Sequence, residues 1–110
     1  MTITDICDLP EFLELLSNYE YVVVKFSAEW CAPCKRIHPL YERLSNNEKY
    51  TSVCFVHVDV DEARDLCEKY EVSNMPTFIL FQNSEETERF PGANEGKLID
   101  MLSKCKSDNL

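Results

Sequence analysis

Apolar residues recur along this chain in two rhythms that alternate from its first third to its end. Leu9, Phe12, Leu13 and Leu16 fall at i, i+3, i+4 and i+7, the spacing of a helix with one buried face, and Asp8-Leu9-Pro10-Glu11 reads as a capping box with Asp8 as N-cap and Glu11 at N3. This helix is expected to run to about Asn18, and the few residues before it allow only a short edge strand. Tyr21-Val22-Val23-Val24-Lys25-Phe26 is a continuous β-branched and aromatic run, which predicts a central strand covered on both faces, with Lys25 as its one interruption. Ile37, Leu40, Tyr41 and Leu44 restore the helical period to about Asn47. Pro39 lies inside that stripe, lacks the N–H that would bond the Lys35 carbonyl, and predicts a kink. Val53-Cys54-Phe55-Val56-His57-Val58 is the next strand, so that strand, helix and strand form a right-handed parallel βαβ unit.

The second half continues the pattern in shorter pieces. Ala63, Leu66, Cys67 and Tyr70 mark a brief helix capped by Asp61, and Thr77–Phe81 is a further apolar strand. A polar turn at Asn83-Ser84-Glu85 leads straight into Thr87-Glu88-Arg89-Phe90, which implies an antiparallel hairpin. Pro91-Gly92-Ala93-Asn94 breaks the pattern before a last helix that turns Leu98, Met101, Leu102 and Cys105 inward. Strands alternating with helices predict the α/β class with a mixed sheet. At 110 residues, with no repeat, linker or low-complexity segment, residues 1–110 are expected to form one domain.

Charge and cysteine usage narrow the classes of function. With 20 acidic residues against 11 basic ones the net charge is −9, which argues against nucleic acid or an anionic membrane surface as a partner. No apolar run approaches the roughly 20 residues that span a bilayer. The stretch Met1-Thr2-Ile3-Thr4-Asp5 lacks the pattern of a signal peptide, so the expected setting is cytoplasmic; a monomer is the expected state. Six cysteines in so short a chain raise the possibility of a disulfide scaffold, but Cys7, Cys54, Cys67 and Cys105 sit within strand and helix patterns and read as free thiols of a reducing compartment. Cys54 and Cys67 are expected in the core, while Cys7 and Cys105 are the positions open to oxidation or dimerisation.

The candidate chemistry lies at Glu29-Trp30-Cys31-Ala32-Pro33-Cys34-Lys35, where the first long strand meets the second helix. With Cys31 as N-cap its sulfur leaves the helical path, Cys34 falls at N3, and the free Cys34 N–H points back at that sulfur. The helix dipole, with Lys35 and Arg36 in the first turns, adds positive potential that favours a Cys31 thiolate. Disulfide reduction needs a thiolate that attacks and a second thiol that resolves, and an exposed Cys31 with a shielded Cys34 suits those roles. A zinc site would require a second ligand pair, which this chain lacks, so no metal is expected. His38, on a helix surface, and His57, on a strand, are expected to be structural or solvated. Asp59 and Asp61 read as a solvated strand end and a helix cap rather than as an acid–base pair. Two glycines and no Gly-rich fingerprint leave no place for a dinucleotide, and no cofactor is expected.

Val22–Cys31, Pro39, Val58-Asp59-Val60-Asp61, Met75-Pro76-Thr77-Phe78 and Gly92-Ala93 together resemble the thioredoxin family, in order and spacing, over nearly the whole chain. The resemblance implies a five-stranded sheet of order 1-3-2-4-5 flanked by four helices. It also implies a cis Pro76 beside the cysteine pair, with the backbone of Met75 free to pair with an extended substrate, and Trp30, Ala32, Pro33, Gly92 and Ala93 completing the groove. The activity it implies is reduction of protein disulfides, with recharging in trans by an NADPH-dependent thioredoxin reductase. Three residues depart from the family pattern. Lys25 stands where a buried Asp is usual, Ala32 replaces the Gly after the first cysteine, and Ser84 occupies a common hairpin Gly. The favoured reading of Lys25 is that its stem packs while its ammonium reaches water at the strand end. The other is that the ammonium lies beneath the cysteine pair, where it favours a Cys34 thiolate but, while charged, cannot accept the proton. Lys25 also keeps a rival alive, a thioredoxin-like binding or regulatory module of the kind associated with monothiol glutaredoxins, against which the intact cysteine pair speaks. A secretory oxidase or isomerase is disfavoured by the missing signal pattern.

Overall fold

In the computed structural model, which describes residues 3–105, the strand with the most continuous apolar run is the middle of the sheet. The strands are β1 (Thr4–Asp5), β2 (Tyr21–Ser27), β3 (Val53–Asp59), β4 (Thr77–Gln82) and β5 (Glu85–Pro91), in the spatial order β1-β3-β2-β4-β5. β2 pairs in parallel with β3 and antiparallel with β4, and all seven of its residues are buried. Among the described residues the α-helices are α1 (Leu9–Asn18), α2 (Ala32–Ser45), α3 (Arg64–Lys69) and α4 (Glu95–Leu102). This is the mixed five-stranded, four-helix layout that the resemblance implied.

The period of two along β2 divides the core into two layers. Tyr21 and Val23 join Ile37, Leu40, Tyr41 and Leu44 of α2 and Leu98, Met101 and Leu102 of α4 on one face. Val22, Val24 and Phe26 join Phe12 and Leu16 of α1 and Leu66 of α3 on the other. Lys25 continues the row of Tyr21 and Val23, so its side chain enters the α2 layer.

Local departures from expectation have identifiable causes. Asp8 caps α1 by accepting the Glu11 N–H at 2.8 Å, but the Glu11 carboxylate reaches the N–H of Cys7 at 3.3 Å rather than that of Asp8, so the capping box closes one residue early. Leu13 is exposed, and Leu15, half-buried, packs on the core instead. Asp61 does not cap α3, whose N-cap is Ala63 with no side-chain bond; the Ala63 N–H is already taken by the Asp59 carbonyl at 2.9 Å. A 3-10 turn at Glu48–Tyr50, which no periodicity announces in three residues, buries Tyr50. In the β4–β5 turn Asn83 and Ser84 both take positive φ, 52° and 71°, which suits a tight hairpin of primed type. Among the described residues no helix is long and apolar enough to cross a membrane.

One buried hydroxyl ties α2 to the sheet. Tyr41 on α2 places its O–H 2.7 Å from the Val56 carbonyl of β3 and 3.0 Å from the Val23 carbonyl of β2. Tyr41→Phe keeps the ring packing against Phe55 and Phe78 but removes this donor. The expected loss is about 1–2 kcal/mol of unfolding free energy with an unchanged m-value, read by urea denaturation. A loss well below 0.5 kcal/mol would show that the hydroxyl bond is energetically idle.

Candidate active site

The end of β2 and the start of α2 are joined by a turn that closes when the Cys31 N–H bonds the Ala28 carbonyl at 3.2 Å. Cys31 is the N-cap of α2, with extended backbone angles (φ −96°, ψ 104°) that swing its side chain off the helix. Its sulfur accepts the N–H of Cys34 at 3.2 Å, and the two cysteines form a disulfide across a Cα separation of 5.4 Å. Pro33 costs this first turn nothing, because an N–H there would have no helical partner. The expected contrast in exposure is absent: Cys31 is 4% exposed and Cys34 1%. Ala28 belongs to the same buried cluster and half-buried Val60 and Met75 pack against it, so the sulfurs differ by their place on the helix rather than by access to water.

The remaining groove residues are only partly drawn together. The Met75–Pro76 peptide is cis, and the Pro76 carbonyl accepts the Gly92 N–H at 2.8 Å. Gly92 has a φ of +91°, while a Cβ built on it would meet nothing within 4 Å. Its glycine therefore serves the turn and not a close approach of backbones. Ala93 is half-buried against the α2–α4 layer of the core rather than against the cysteines. Ala32 is exposed and Pro33 half-buried, and Lys35 and Arg36 are exposed in the first turns of α2. Trp30 is 70% exposed, and its indole N–H donates to the Asp61 carboxylate at 3.1 Å. Asp59 in turn accepts the Asp61 N–H at 2.9 Å, so the two acids hold the tryptophan, a role that their spacing in the sequence did not reveal.

Lys25 overturns the snorkelling expectation. It is 2% exposed, and its Nζ lies 2.9 Å from Nδ1 of His38, which correspondingly is not a solvated surface histidine. The physical reason is its place: β2 is covered on both faces and flanked by β3 and β4, so a side chain at Lys25 has no short path to water. Burial pushes the Lys25 ammonium down to about 8. Burial lowers His38 as well, with Lys25 and His57 adding to the effect. Sheet register sets Lys25 beside His57 and His57 beside Asp5. The His57 Nδ1 lies 3.2 Å from the Asp5 carboxylate, and the His38 and His57 rings meet edge-on at 6.1 Å. A cavity of about 510 Å³ opens here, and Lys25, His38, His57 and Cys34 all line it.

The other thiols are held toward the protonated form. Burial raises Cys54 and Cys105 to about 11, and raises Cys67. Cys7 is exposed but is also raised, by desolvation and then by Glu62 and Glu11. The oxidation or dimerisation considered for Cys7 and Cys105 thus finds no activated thiol at either position.

Comparison with known proteins agrees with this geometry. The family model described as Thioredoxin matches residues 6–104. Thioredoxin 1 of Plasmodium falciparum is 43% identical over 94 residues, covering 86% of this chain and 88% of its own. Thioredoxin of Ophiophagus hannah is 43% identical over 99 residues, covering 88% and 92%. The X-ray structure of Fasciola hepatica thioredoxin superposes with a TM-score of 0.89 at 35% identity, over 94% of this chain and all of that one.

The burial of Lys25 has a measurable consequence for stability. Its folded-state value of about 8 lies below the ordinary 10.5, so the ammonium penalises the fold fully below about pH 8, and the penalty fades as pH rises toward 10.5. Lys25→Met carries no such group, while the four free thiols titrate alike in both proteins. The melting temperature of the variant minus that of the wild type is therefore expected to be largest below pH 8 and to shrink between pH 8 and 10.5. A difference that stays constant over this range would show that the ammonium carries no burial penalty.

Proposed function

Because the chain belongs to the thioredoxin family and joins Cys31 to Cys34, it is a thiol–disulfide oxidoreductase of the protein-disulfide reductase type, and we propose that it works in the cytoplasm on disulfide-containing proteins and is recharged in trans by an NADPH-dependent thioredoxin reductase. The observation that carries the division of labour within the pair is the Cys34 N–H bonded to the Cys31 sulfur at the helix N-cap. In the reduced protein that donor and the positive end of the α2 dipole favour a thiolate at Cys31 and not at Cys34.

Cys31 attacks a substrate disulfide, the substrate's S–S bond breaks, and a mixed disulfide forms between Cys31 and one substrate sulfur. Cys34 then attacks Cys31, the Cys31–Cys34 bond forms, and the substrate leaves with both sulfurs reduced. Trp30, Ala32, Pro33, Met75, Pro76, Gly92 and Ala93 are assigned to the groove around this chemistry, and Lys35 and Arg36 to its positive potential. An extended substrate segment pairing with the Met75 backbone is bound through main-chain groups, a mode tolerant of sequence. The chain needs no cofactor of its own in this scheme, acts as a monomer, and takes its electrons from the reductase.

The two cysteines have separable fates. Cys34→Ser is expected to accumulate a mixed disulfide with a bridged peptide substrate, and Cys31→Ser to capture none, as counted by mass spectrometry after acid quenching. Capture by Cys31→Ser and not by Cys34→Ser would reverse the assigned roles.

A further inference from the structure

We propose that Lys25, held in place by His38, takes the proton of Cys34 in the step in which Cys34 resolves the mixed disulfide; this rests on the reductase reading above. Three observations converge on it. Lys25 and Cys34 line the same cavity. Cys34 and His38 are four positions apart on α2 and so share one helix face, which brings the partner of Lys25 directly below the resolving cysteine. Among the described residues the ion pairs are His57–Asp5, Arg89–Glu86 and Lys104–Glu88, and Lys25 belongs to none of them, so no carboxylate ties up its nitrogen.

The proton count assigns the roles. When Lys25 is charged it donates to Nδ1 of His38, which fixes the imidazole proton on Nε2 and leaves His38 without a lone pair to offer. When Lys25 is neutral its own lone pair can accept a proton. The Cys34 S–H then gives its proton to Nζ, and the sulfur electron pair forms the bond to Cys31. The bond from Cys31 to the substrate sulfur breaks, and that sulfur departs as a thiolate that takes a proton from the new ammonium or from water. The substrate disulfide gains two electrons and the cysteine pair loses two. His38 is a positioning residue in this step, since it acts through Lys25.

The pH dependence follows from what faces the pair. Besides His38, α2 presents Glu42 and Lys35 to the cavity; β1 presents Asp5, β3 presents His57 and Asp59, and Glu29 follows β2. None of these carboxylates forms an ion pair with Lys25, and burial sets its proton affinity. Resolution is therefore expected to quicken with pH and level off above about 8.

The test follows the reduced protein as it reacts with a disulfide-bridged peptide under rapid acid quench, with mass spectrometry separating formation of the mixed disulfide from its decay. The wild-type decay rate is expected to rise to a plateau near pH 8. In Lys25→Met the decay at pH 7 is expected to slow roughly a hundredfold and its midpoint to move upward in pH. His38→Gln, which retains an acceptor for Nζ, is expected to keep the wild-type profile, whereas His38→Leu displaces it. These His38 variants keep the proposal testable should Lys25→Met fail to fold. Unchanged decay profiles in Lys25→Met, or in His38→Leu, would overturn the proposal while mixed-disulfide formation upholds the reductase reading. A wild type that forms no mixed disulfide would overturn both.

Discussion

The hydrogen bond from the Cys34 amide to the Cys31 sulfur is the constraint on which the site depends. A helix that starts on a sulfur has an extended residue at its cap, and here the chain must reach that residue with its sulfur aimed at the Cys34 amide. β2 supplies that strand and the Ala28–Cys31 turn supplies the angle. The same bond satisfies one orphan amide of the helix start and sets a donor against one sulfur of the pair, so capping and chemical asymmetry have a single origin. Equal burial of the two cysteines strengthens this point, because little difference in solvent access remains to distinguish them.

Beneath the pair the sheet register builds a polar row into an otherwise apolar layer. Asp5, His57 and Lys25 stand side by side on β1, β3 and β2, and the next positions across, Phe78 on β4 and Phe90 on β5, return the row to hydrocarbon. His38 closes over the row from α2. An ammonium so placed is desolvated without a counter-charge, and the cheapest response is a lower proton affinity. Two histidines that the sequence presents 19 positions apart, each unremarkable alone, become part of one network only through this register.

The fold was legible because its signals are local. The Val-rich run of β2, the i, i+3, i+4 stripe of α2 and the short polar turn at Asn83-Ser84 each announce an element without reference to the others. The Cys31 cap was legible for the same reason, since four consecutive residues define it. What stayed hidden is what depends on distant partners. Whether Lys25 reaches water is decided by which strands flank β2, and whether Asp61 caps a helix or holds Trp30 is decided by where β3 ends relative to the turn after β2. The near-equal burial of Cys31 likewise comes from Met75 and Val60, brought in from the other side of the chain.

The bond between Trp30 and Asp61 has an optical consequence. Trp30 is the only tryptophan in the chain, it adjoins Cys31, and its indole is anchored at Nε1 while most of its surface faces solvent. Light absorbed near 300 nm is thus absorbed at the active site alone. The ultraviolet emission excited there, with no second indole to dilute it, makes the whole protein a spectroscopic reporter of one disulfide.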